Sequence, residues 1–109
     1  MTWQEISVQE FSPEKDIVLI DVREIDEYQS GHIPGAVNVP LSALEENTSQ
    51  IPTNGKVFMV CRSGARSGRA CDFLSQLPSH TNAVFVNVGG GTAGWIAEGR
   101  EVVTGDNPH

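Results

Sequence analysis

The sequence predicts an α/β fold, in which an open, mainly parallel sheet carries helices on both faces. Short apolar or β-branched runs recur along the 109 residues and are separated by amphipathic stretches with helix start and stop signals. Short continuous apolar runs are typical of strands that are buried on both faces. Strands that alternate with helices favour a parallel sheet, and the length fits one domain without a repeat or a linker.

The first part of the chain contains one predicted strand between two helix signals. Ser7 and Glu10 have the spacing of a capping box and predict a helix start. Ile17 to Ile20 is a short apolar run and predicts a buried strand. Ile25 to Ser30 predicts a helix that ends at Gly31, because glycine readily ends helices.

The middle of the chain repeats this alternation. Ala36 to Val39 predicts a second strand, and Ser42 with Glu45 again has capping-box spacing and predicts a helix start. Val57 to Val60 is the next apolar run and predicts a third strand.

The last part of the chain contains the most glycine. A helix-like stretch follows residues 61–64 and stops after Leu77, where Pro78 cannot continue it, and Val84 to Val88 predicts a fourth strand. The glycine-rich segment before Trp95 lacks the lysine and Ser/Thr ending of a phosphate-binding Walker motif. We expect a tight turn there, with Trp95 filling the core.

Cys61 stands where a predicted strand ends and a predicted helix begins. A cysteine at this junction faces unpaired backbone N–H groups and the positive end of the helix dipole, and both favour the thiolate over the thiol. Cysteines in such places, especially beside arginine, have pKa values of roughly 3.5–7.5 instead of about 8.5. Gly64 lets the backbone curl closely around the sulfur. Because the thiolate is the nucleophile, we expect Cys61 to be the reactive residue.

The charges near Cys61 differ from those of the rest of the chain. Arg62, Arg66 and Arg69 lie in one eight-residue window without an acidic residue, although the chain has 14 acidic residues and a net charge of −7. A positively charged site on an otherwise acidic protein predicts a small anionic substrate rather than nucleic acid. We expect Arg69 to be a solvated charge that adds to this field.

Four segments together resemble one known family. The string CRSGARS from Cys61 to Ser67 resembles the active-site loop of the rhodanese-type, or thiosulfate, sulfurtransferases. Three further segments agree with this family in order and spacing: Leu19 to Glu24, Glu27 to Pro40, and Gly89 to Trp95. The resemblance covers most of the chain, from about Ile17 to Trp95.

This resemblance implies a single rhodanese domain over residues 1–109, with a rhodanese-like open sheet of about five short strands. It implies that Cys61 takes a sulfane sulfur from thiosulfate or a similar donor, carries it as a persulfide, and passes it to cyanide, a thiol or a partner protein. The loop that would bind substrate, chiefly through its backbone amides, comprises Arg62, Ser63, Gly64, Ala65 and Arg66. We expect no cofactor and no metal.

Two other functions remain open. A cysteine phosphatase or arsenate reductase also combines a thiolate, an anion cradle and an arginine. Such phosphatases typically place five residues between cysteine and arginine, whereas four separate Cys61 from Arg66, and the loop has no neighbouring acidic residue to act as a general acid. The third interpretation is a binding or redox-sensing domain without catalysis, although retention of the cysteine speaks against it.

Asp21 and Arg23 follow the first predicted strand and are expected to approach the same sheet edge as Cys61, because ligands bind beyond the carboxyl ends of parallel strands. Arg23 is assigned mainly a structural role as the partner of Asp21 or Glu27, with a supporting role at the site as the alternative. His32 lies in a Gly-His-Ile-Pro-Gly turn and is expected to stabilise it through hydrogen bonds, since a thiolate needs no general base.

The cysteine count and composition limit the remaining possibilities. Two cysteines are too few for a disulfide framework or a four-cysteine zinc site. Cys71 is expected to be a buried apolar residue, with a role as a resolving thiol as the alternative. The absence of a signal-peptide pattern predicts a cytoplasmic location, and the absence of any run of 18 apolar residues predicts no membrane span. We also expect a monomer that binds no membrane and no nucleic acid.

Overall fold

The computed structural model describes residues 3–14 and 16–109 and contains a five-stranded sheet. The strand order is β1-β5-β4-β2-β3, and every pairing between the described strands is parallel. The strands are β1 (Gln4–Ser7), β2 (Val18–Asp21), β3 (Val37–Asn38), β4 (Asn54–Val60) and β5 (Asn82–Gly89). The predicted open parallel sheet of about five short strands is confirmed.

Three short α-helices connect and cover the strands. They are α1 (Ile25–Ser30), α2 (Ala65–Ser75) and α3 (Gly91–Ala97). Three 3-10 segments lie at Leu41–Ala43, Glu45–Gln50 and Pro78–His80. Within residues 3–14 and 16–109, no helix has the length and apolar character needed to cross a membrane.

The sheet separates two apolar layers, because successive side chains along a strand point to opposite faces. Along β4, Val57 and Met59 enter one layer while Val60 enters the other. The first layer contains the buried face of α2, with Ala70, Cys71 and Leu74. The second contains Tyr28 of α1 and Trp95 of α3. The helices therefore lie on both faces, as predicted.

The strand register brings Cys61 to the middle of one sheet edge. β4 is the central strand, with β5 and β2 as its neighbours. Val60 at its end pairs with Asp21, which in turn pairs with Asn38 of β3. Because all the strands run the same way, the residues that follow them meet at this edge, and Cys61 lies at its centre.

The helix predicted from Ser7 and Glu10 is wrong. Ser7 is the last residue of β1, and the chain then makes a turn in which the Glu10 N–H donates to the Ser7 carbonyl at 3.0 Å. The Ser7 hydroxyl donates to the Glu10 carboxylate at 3.1 Å, so the capping-box spacing serves a turn instead. Pro13 restricts the residue before it and leaves no room for a longer helix.

The α-helix predicted from Ser42 and Glu45 is replaced by two 3-10 segments. The Ser42 hydroxyl donates to Glu24 at 2.8 Å and makes no capping bond, and Asn47 has non-helical backbone angles. A side chain that is bound elsewhere cannot cap a helix, so the two 3-10 segments follow one another without forming an α-helix.

The glycine-rich segment makes a tight turn at Gly90, as predicted, and then begins a helix that was not predicted. Gly90 and Gly91 have φ values of 87° and 57°, and α3 then runs to Ala97. The predicted position of Trp95 in the core is confirmed, because this residue is only 5% exposed. Its indole N–H donates to the Glu101 carbonyl, and Arg100 lies 3.6 Å from the ring centre.

The start of α3 holds the loop that carries Cys61. The N–H groups of Gly90, Thr92 and Ala93 donate to the carbonyls of residues 63, 61 and 62, respectively, at 2.9–3.1 Å. A Cβ atom on Gly91 would lie 2.4 Å from the Cys61 carbonyl oxygen and 2.5 Å from that of Arg62. The backbone approach therefore requires glycine at position 91.

We expect Gly91→Ala to destabilise the protein by about 2–4 kcal/mol, because it adds steric overlap to the cost of a positive φ. Gly99→Ala is the matched control, since Gly99 also has a positive φ of 74° but no atom within 4 Å of the added Cβ. The control should lose only about 1 kcal/mol. Urea unfolding measures both, and equal losses would show that close packing at Gly91 adds nothing.

Candidate active site

Cys61 lies directly after β4, and residues 62–64 connect it to α2. Gly64 is the N-cap of α2 and has φ 111°, a left-handed conformation that other residues rarely adopt. Its N–H donates to the Cys61 sulfur with a donor–acceptor distance of 3.1 Å. The loop curls around the sulfur at the position predicted from the sequence.

The Cys61 sulfur is in an environment that favours ionisation. Burial alone raises the pKa of the thiol, but hydrogen bonds from the Ser67 hydroxyl and from the N–H groups of Ser67, Gly64 and Ser63 outweigh it. The pKa of Cys61 is therefore below its ordinary value. The sequence predicted that backbone amides lower the pKa of Cys61, but it did not predict the contribution of the Ser67 hydroxyl.

Ser67 approaches the sulfur from the first turn of α2. Its hydroxyl lies 3.3 Å from the Cys61 sulfur and 2.5 Å from the side-chain oxygen of Asn87 on β5. Both polar residues are buried. The serine that ends the CRSGARS string was the available sequence signal, while no local pattern indicated Asn87.

The Cys61 residue is 0% exposed, so the thiol lies beneath the surface. The neighbouring residues Arg62, Ser63 and Ala65 of the same loop are exposed. The sulfur is thus buried directly beside the surface, and a displacement of this loop would open a path to it.

Arg66 forms an ion pair that joins α2 to α1. Its two terminal nitrogens donate to the two carboxylate oxygens of Glu27 at 2.7 and 2.9 Å. This pairing lowers the pKa of Glu27 to about 2 and raises that of Arg66. The Arg66 side chain, which was predicted to help bind substrate, is thus paired with Glu27. From the sequence, Glu27 was expected as a possible partner of Arg23.

Arg23 pairs with Asp21, one of the two partners expected from the sequence. Both side chains are buried, and their closest N–O distance is 2.9 Å. Arg23 also donates to the Gly31 carbonyl at 2.7 Å, which ties the end of β2 to the end of α1. Its guanidinium group shares the sheet edge with Cys61, but these bonds hold it within the fold.

Arg62 is exposed, and its side chain borders a cavity of about 420 Å³. The cavity lies between α1, the Cys61 loop and the start of α3. It is lined by Arg23, Glu27, Ser30, Arg62, Thr92, Ala93 and Ile96. Arg69 is also exposed and borders a different groove, on the outer face of α2, in agreement with the expected solvated charge.

Cys71 and His32 have the structural environments expected for them. Cys71 is a free thiol in the core beside α2, and its burial raises its pKa to about 12. His32 is buried, with Nδ1 2.8 Å from the Tyr28 carbonyl and Nε2 2.9 Å from the Asn107 carbonyl. Its ring stacks on Tyr28 with centroids 3.7 Å apart, so both ring nitrogens and one face of the ring make contacts within the fold.

We expect Glu27→Gln to lower the free energy of unfolding by about 0.5–1 kcal/mol at pH 7, as for other partly exposed ion pairs. Folding lowers the pKa of Glu27 from 4.5 to about 2, so the carboxylate contributes this stability above pH 4.5 and loses it as the pH falls towards 2. Urea unfolding at a series of pH values checks the trend. Glu45→Gln, at an exposed position, is the control; a pH-independent loss at position 27 would contradict the pairing.

The sequence as a whole matches known proteins. The family model described as "Rhodanese-like domain" matches residues 7–98. A protein named sulfurtransferase from Allochromatium vinosum is 34% identical over 95 residues, a match that covers 87% of this chain and 86% of that protein. The putative sulfur carrier protein YrkF of Bacillus subtilis is 39% identical over 70 residues. This second match covers 61% of the chain but only 38% of YrkF, so the chain spans well under half of that relative.

The fold also matches a solved structure. The crystal structure of a rhodanese-related protein from Thermoplasma volcanium superposes with a TM-score of 0.75 and 33% identity, over 94% of this chain and 100% of that chain. The resemblance carried by the four sequence segments is thereby confirmed, and the chain belongs to the rhodanese-like domain family.

Proposed function

We propose that this protein is a sulfurtransferase that carries a sulfane sulfur as a persulfide on Cys61. The observation that carries the proposal is the Cys61 sulfur itself, held at the end of the central strand by the Gly64 N–H at 3.1 Å and the Ser67 hydroxyl at 3.3 Å. These donors favour a thiolate, which is the nucleophilic form of cysteine. Family membership and a relative named sulfurtransferase support the same activity.

In the first half-reaction, the Cys61 thiolate attacks the outer sulfur of thiosulfate or a similar donor. A new S–S bond forms to Cys61, the S–S bond of thiosulfate breaks, and sulfite leaves with its electron pair. The proposed binding site is the loop from Arg62 to Arg66, whose amides stabilise the negative charge on the outer sulfur. Asp21 and Arg23 support the site by fixing the neighbouring end of β2.

Two features of the structure support a route by which a donor reaches the sulfur. Cys61 is buried, so we expect the donor to bind when its loop is displaced. Arg66 is paired with Glu27, whereas Arg62 is exposed beside the 420 Å³ cavity. Arg62 therefore supplies the charge that first attracts the anion.

In the second half-reaction, an acceptor such as cyanide, a thiol or a protein cysteine attacks the outer sulfur, and Cys61 leaves as a thiolate. The name of the sulfur carrier relative supports a protein as one acceptor. We place the protein in the cytoplasm, because a free reactive thiol is maintained in a reducing compartment. We further propose that it acts as a monomer with a single rhodanese domain and needs no cofactor.

Intact-protein mass spectrometry after incubation with thiosulfate tests the proposal. The wild-type protein should gain the mass of one sulfur atom, and cyanide or dithiothreitol should remove it. Cys61→Ser should gain nothing, whereas Cys71→Ala, which removes the other free thiol, should still be loaded.

Other outcomes would identify the alternative functions. An unmodified wild-type protein that releases phosphate from an aryl phosphate would establish a cysteine phosphatase. The ion pair between Arg66 and Glu27 counts against this outcome, because it occupies the arginine that would bind phosphate. A protein that carries out neither reaction would be a binding domain.

We expect Gly64→Ala to slow sulfur loading by about tenfold or more. An alanine is strained at φ 111°, so the N–H that stabilises the thiolate moves away, and a hydrogen bond to a charged group contributes about 1.5–3 kcal/mol. Arg69→Ala, on the exposed face of α2, should change the rate less than about twofold. The rate of sulfur loading, followed by mass spectrometry, compares the two; equal rates would show that loop geometry is unimportant.

A further inference from the structure

The Ser67 hydroxyl has more acceptors within reach than it can satisfy. Its oxygen lies 2.5 Å from Asn87 Oδ1, 3.3 Å from the Cys61 sulfur and 3.3 Å from the Gly64 carbonyl oxygen. A hydroxyl has one proton and donates one hydrogen bond at a time. The three contacts therefore cannot all be formed simultaneously.

The Gly64 carbonyl is already satisfied by other donors. It accepts from the Gly68 N–H at 3.0 Å and from Asn87 Nδ2 at 3.0 Å. A carbonyl oxygen has two lone pairs, and these two donors occupy both. The Ser67 proton is thus left with two acceptors, the Cys61 sulfur and Asn87 Oδ1.

The orientation of the Asn87 amide follows from its neighbours. Its nitrogen donates to Glu5 Oε1 at 3.1 Å as well as to the Gly64 carbonyl. Both are acceptors, so the opposite orientation of the amide would place oxygen against oxygen. Asn87 Oδ1 must therefore face Ser67, where it requires a donor because the residue is buried.

The charge on Cys61 decides between the two acceptors. A neutral sulfur accepts hydrogen bonds weakly, so the amide oxygen of Asn87 receives the Ser67 proton, and the Cys61 S–H donates to the free lone pair of Ser67. A thiolate accepts a charge-assisted bond, which is about twice as strong as a neutral one. Ionisation of Cys61 therefore turns the hydroxyl towards the sulfur and leaves Asn87 Oδ1 without its donor.

We propose that the Ser67 hydroxyl alternates between Asn87 when Cys61 is neutral and Cys61 when it is a thiolate, so that Asn87 acts as a positioning residue that limits ionisation of the thiol. The role of this alternation in catalysis rests on the proposed sulfur transfer, in which the Cys61 thiolate is the nucleophile. The alternation determines how readily that thiolate forms. Asn87 does not touch the sulfur: its amide oxygen acts through Ser67, and its amide nitrogen holds the Gly64 carbonyl in place.

The two half-reactions move the hydroxyl in opposite directions. When the thiolate attacks the donor, the Cys61 sulfur becomes neutral within the persulfide, and the Ser67 proton returns to Asn87. When the acceptor attacks the outer sulfur, the S–S bond breaks and its electron pair stays on Cys61. The hydroxyl then turns to the new thiolate and stabilises it as the leaving group. Ser67 only rotates, and no proton is transferred.

The direction of the effect of Asn87 follows from its partners. Removal of its amide leaves Glu5 exposed to water and leaves the Gly64 carbonyl with the Gly68 N–H. The Ser67 hydroxyl then loses its closest acceptor, at 2.5 Å, and keeps two at 3.3 Å, the Cys61 sulfur and the Gly64 carbonyl with its freed lone pair. The remaining neutral competitor is therefore the more distant one. Loss of Asn87 should therefore favour the thiolate.

The other ionisable groups near Cys61 remain unchanged in this comparison. Arg66 and Cys71, both on α2, interact electrostatically with Cys61. Arg66 is itself paired with Glu27 of α1 and interacts with Asp21 at the end of β2. Glu5 of β1 faces the site through Asn87. None of these groups is itself replaced by a substitution of Asn87 or Ser67, and Glu5, which loses the Asn87 amide, is exposed to water.

The test is the pH dependence of alkylation at Cys61 by iodoacetamide, with the modified peptide identified by mass spectrometry. Asn87→Leu keeps the branched shape and the number of side-chain heavy atoms but has no acceptor, and it should lower the pKa of Cys61 by roughly 0.5–1. Ser67→Ala should raise this pKa, because the thiolate loses its hydroxyl donor. Asn82→Leu, at the exposed far end of β5, should leave it unchanged.

The double variant distinguishes positioning from a merely structural role. The lowering of the pKa of Cys61 by Asn87→Leu should be largely lost in the Ser67→Ala background, because the Asn87 oxygen competes with the sulfur for that hydroxyl alone. A pKa that stays constant or rises in Asn87→Leu, or that falls equally in both backgrounds, would overturn the proposal. Circular dichroism checks folding, and Asn87→Ala replaces Asn87→Leu in the same comparison if the leucine variant unfolds.

The readout separates this inference from the proposed function. Alkylation reports ionisation of Cys61 and does not require sulfur transfer. A protein that accepts no sulfur from thiosulfate but shows the predicted dependence on Ser67 would refute only the sulfurtransferase proposal. A protein that is loaded normally and lacks this dependence would refute only the alternating hydroxyl.

Discussion

The site depends on hydrogen bonds between two backbone segments. The carbonyls of residues 61–63 accept N–H groups from residues 90, 92 and 93 at the start of α3. This arrangement turns the loop carbonyls towards α3, so the N–H groups of Ser63 and Gly64 face the sulfur. The contact is close enough that Gly91 has no space for a side chain. An anion-stabilising loop is thus produced by packing of the segment after β4 against the start of α3, with the arginine side chains in a secondary role.

The central part of the fold was readable from the sequence because its signals are local. β4 is a continuous apolar run, and the cysteine, the glycine and the following helix lie within a few positions of it. β1 was missed because it is a polar edge strand in which Ile6 is the only large apolar residue. Ser7 and Ser42 show why capping spacing alone misled, since each hydroxyl binds a glutamate side chain instead of a helix N–H.

The site was only partly predictable because several of its contacts are distant in sequence. Cys61, Gly64 and the arginines were recognisable from local composition. The partner of Arg66 is Glu27, 39 residues away, and the partner of Ser67 is Asn87, 20 residues away. Such pairs depend on which strands become neighbours, and the parallel order β5-β4-β2 is what brings them together. The cluster of arginines from Arg62 to Arg69 therefore predicted more free positive charge at the site than the structure shows, because Arg66 is paired with Glu27.

The complete covering of Cys61 also bears on its survival in the cell. A thiolate reacts with peroxides to give sulfenic acid and, on further exposure, irreversible acids. An oxidant meets the same barrier as any other molecule, because Cys61 is fully buried at the start of a loop whose residues Arg62, Ser63 and Ala65 are exposed. Burial thus shields an easily oxidised atom, and any displacement of the loop that admits a sulfur donor would admit an oxidant as well.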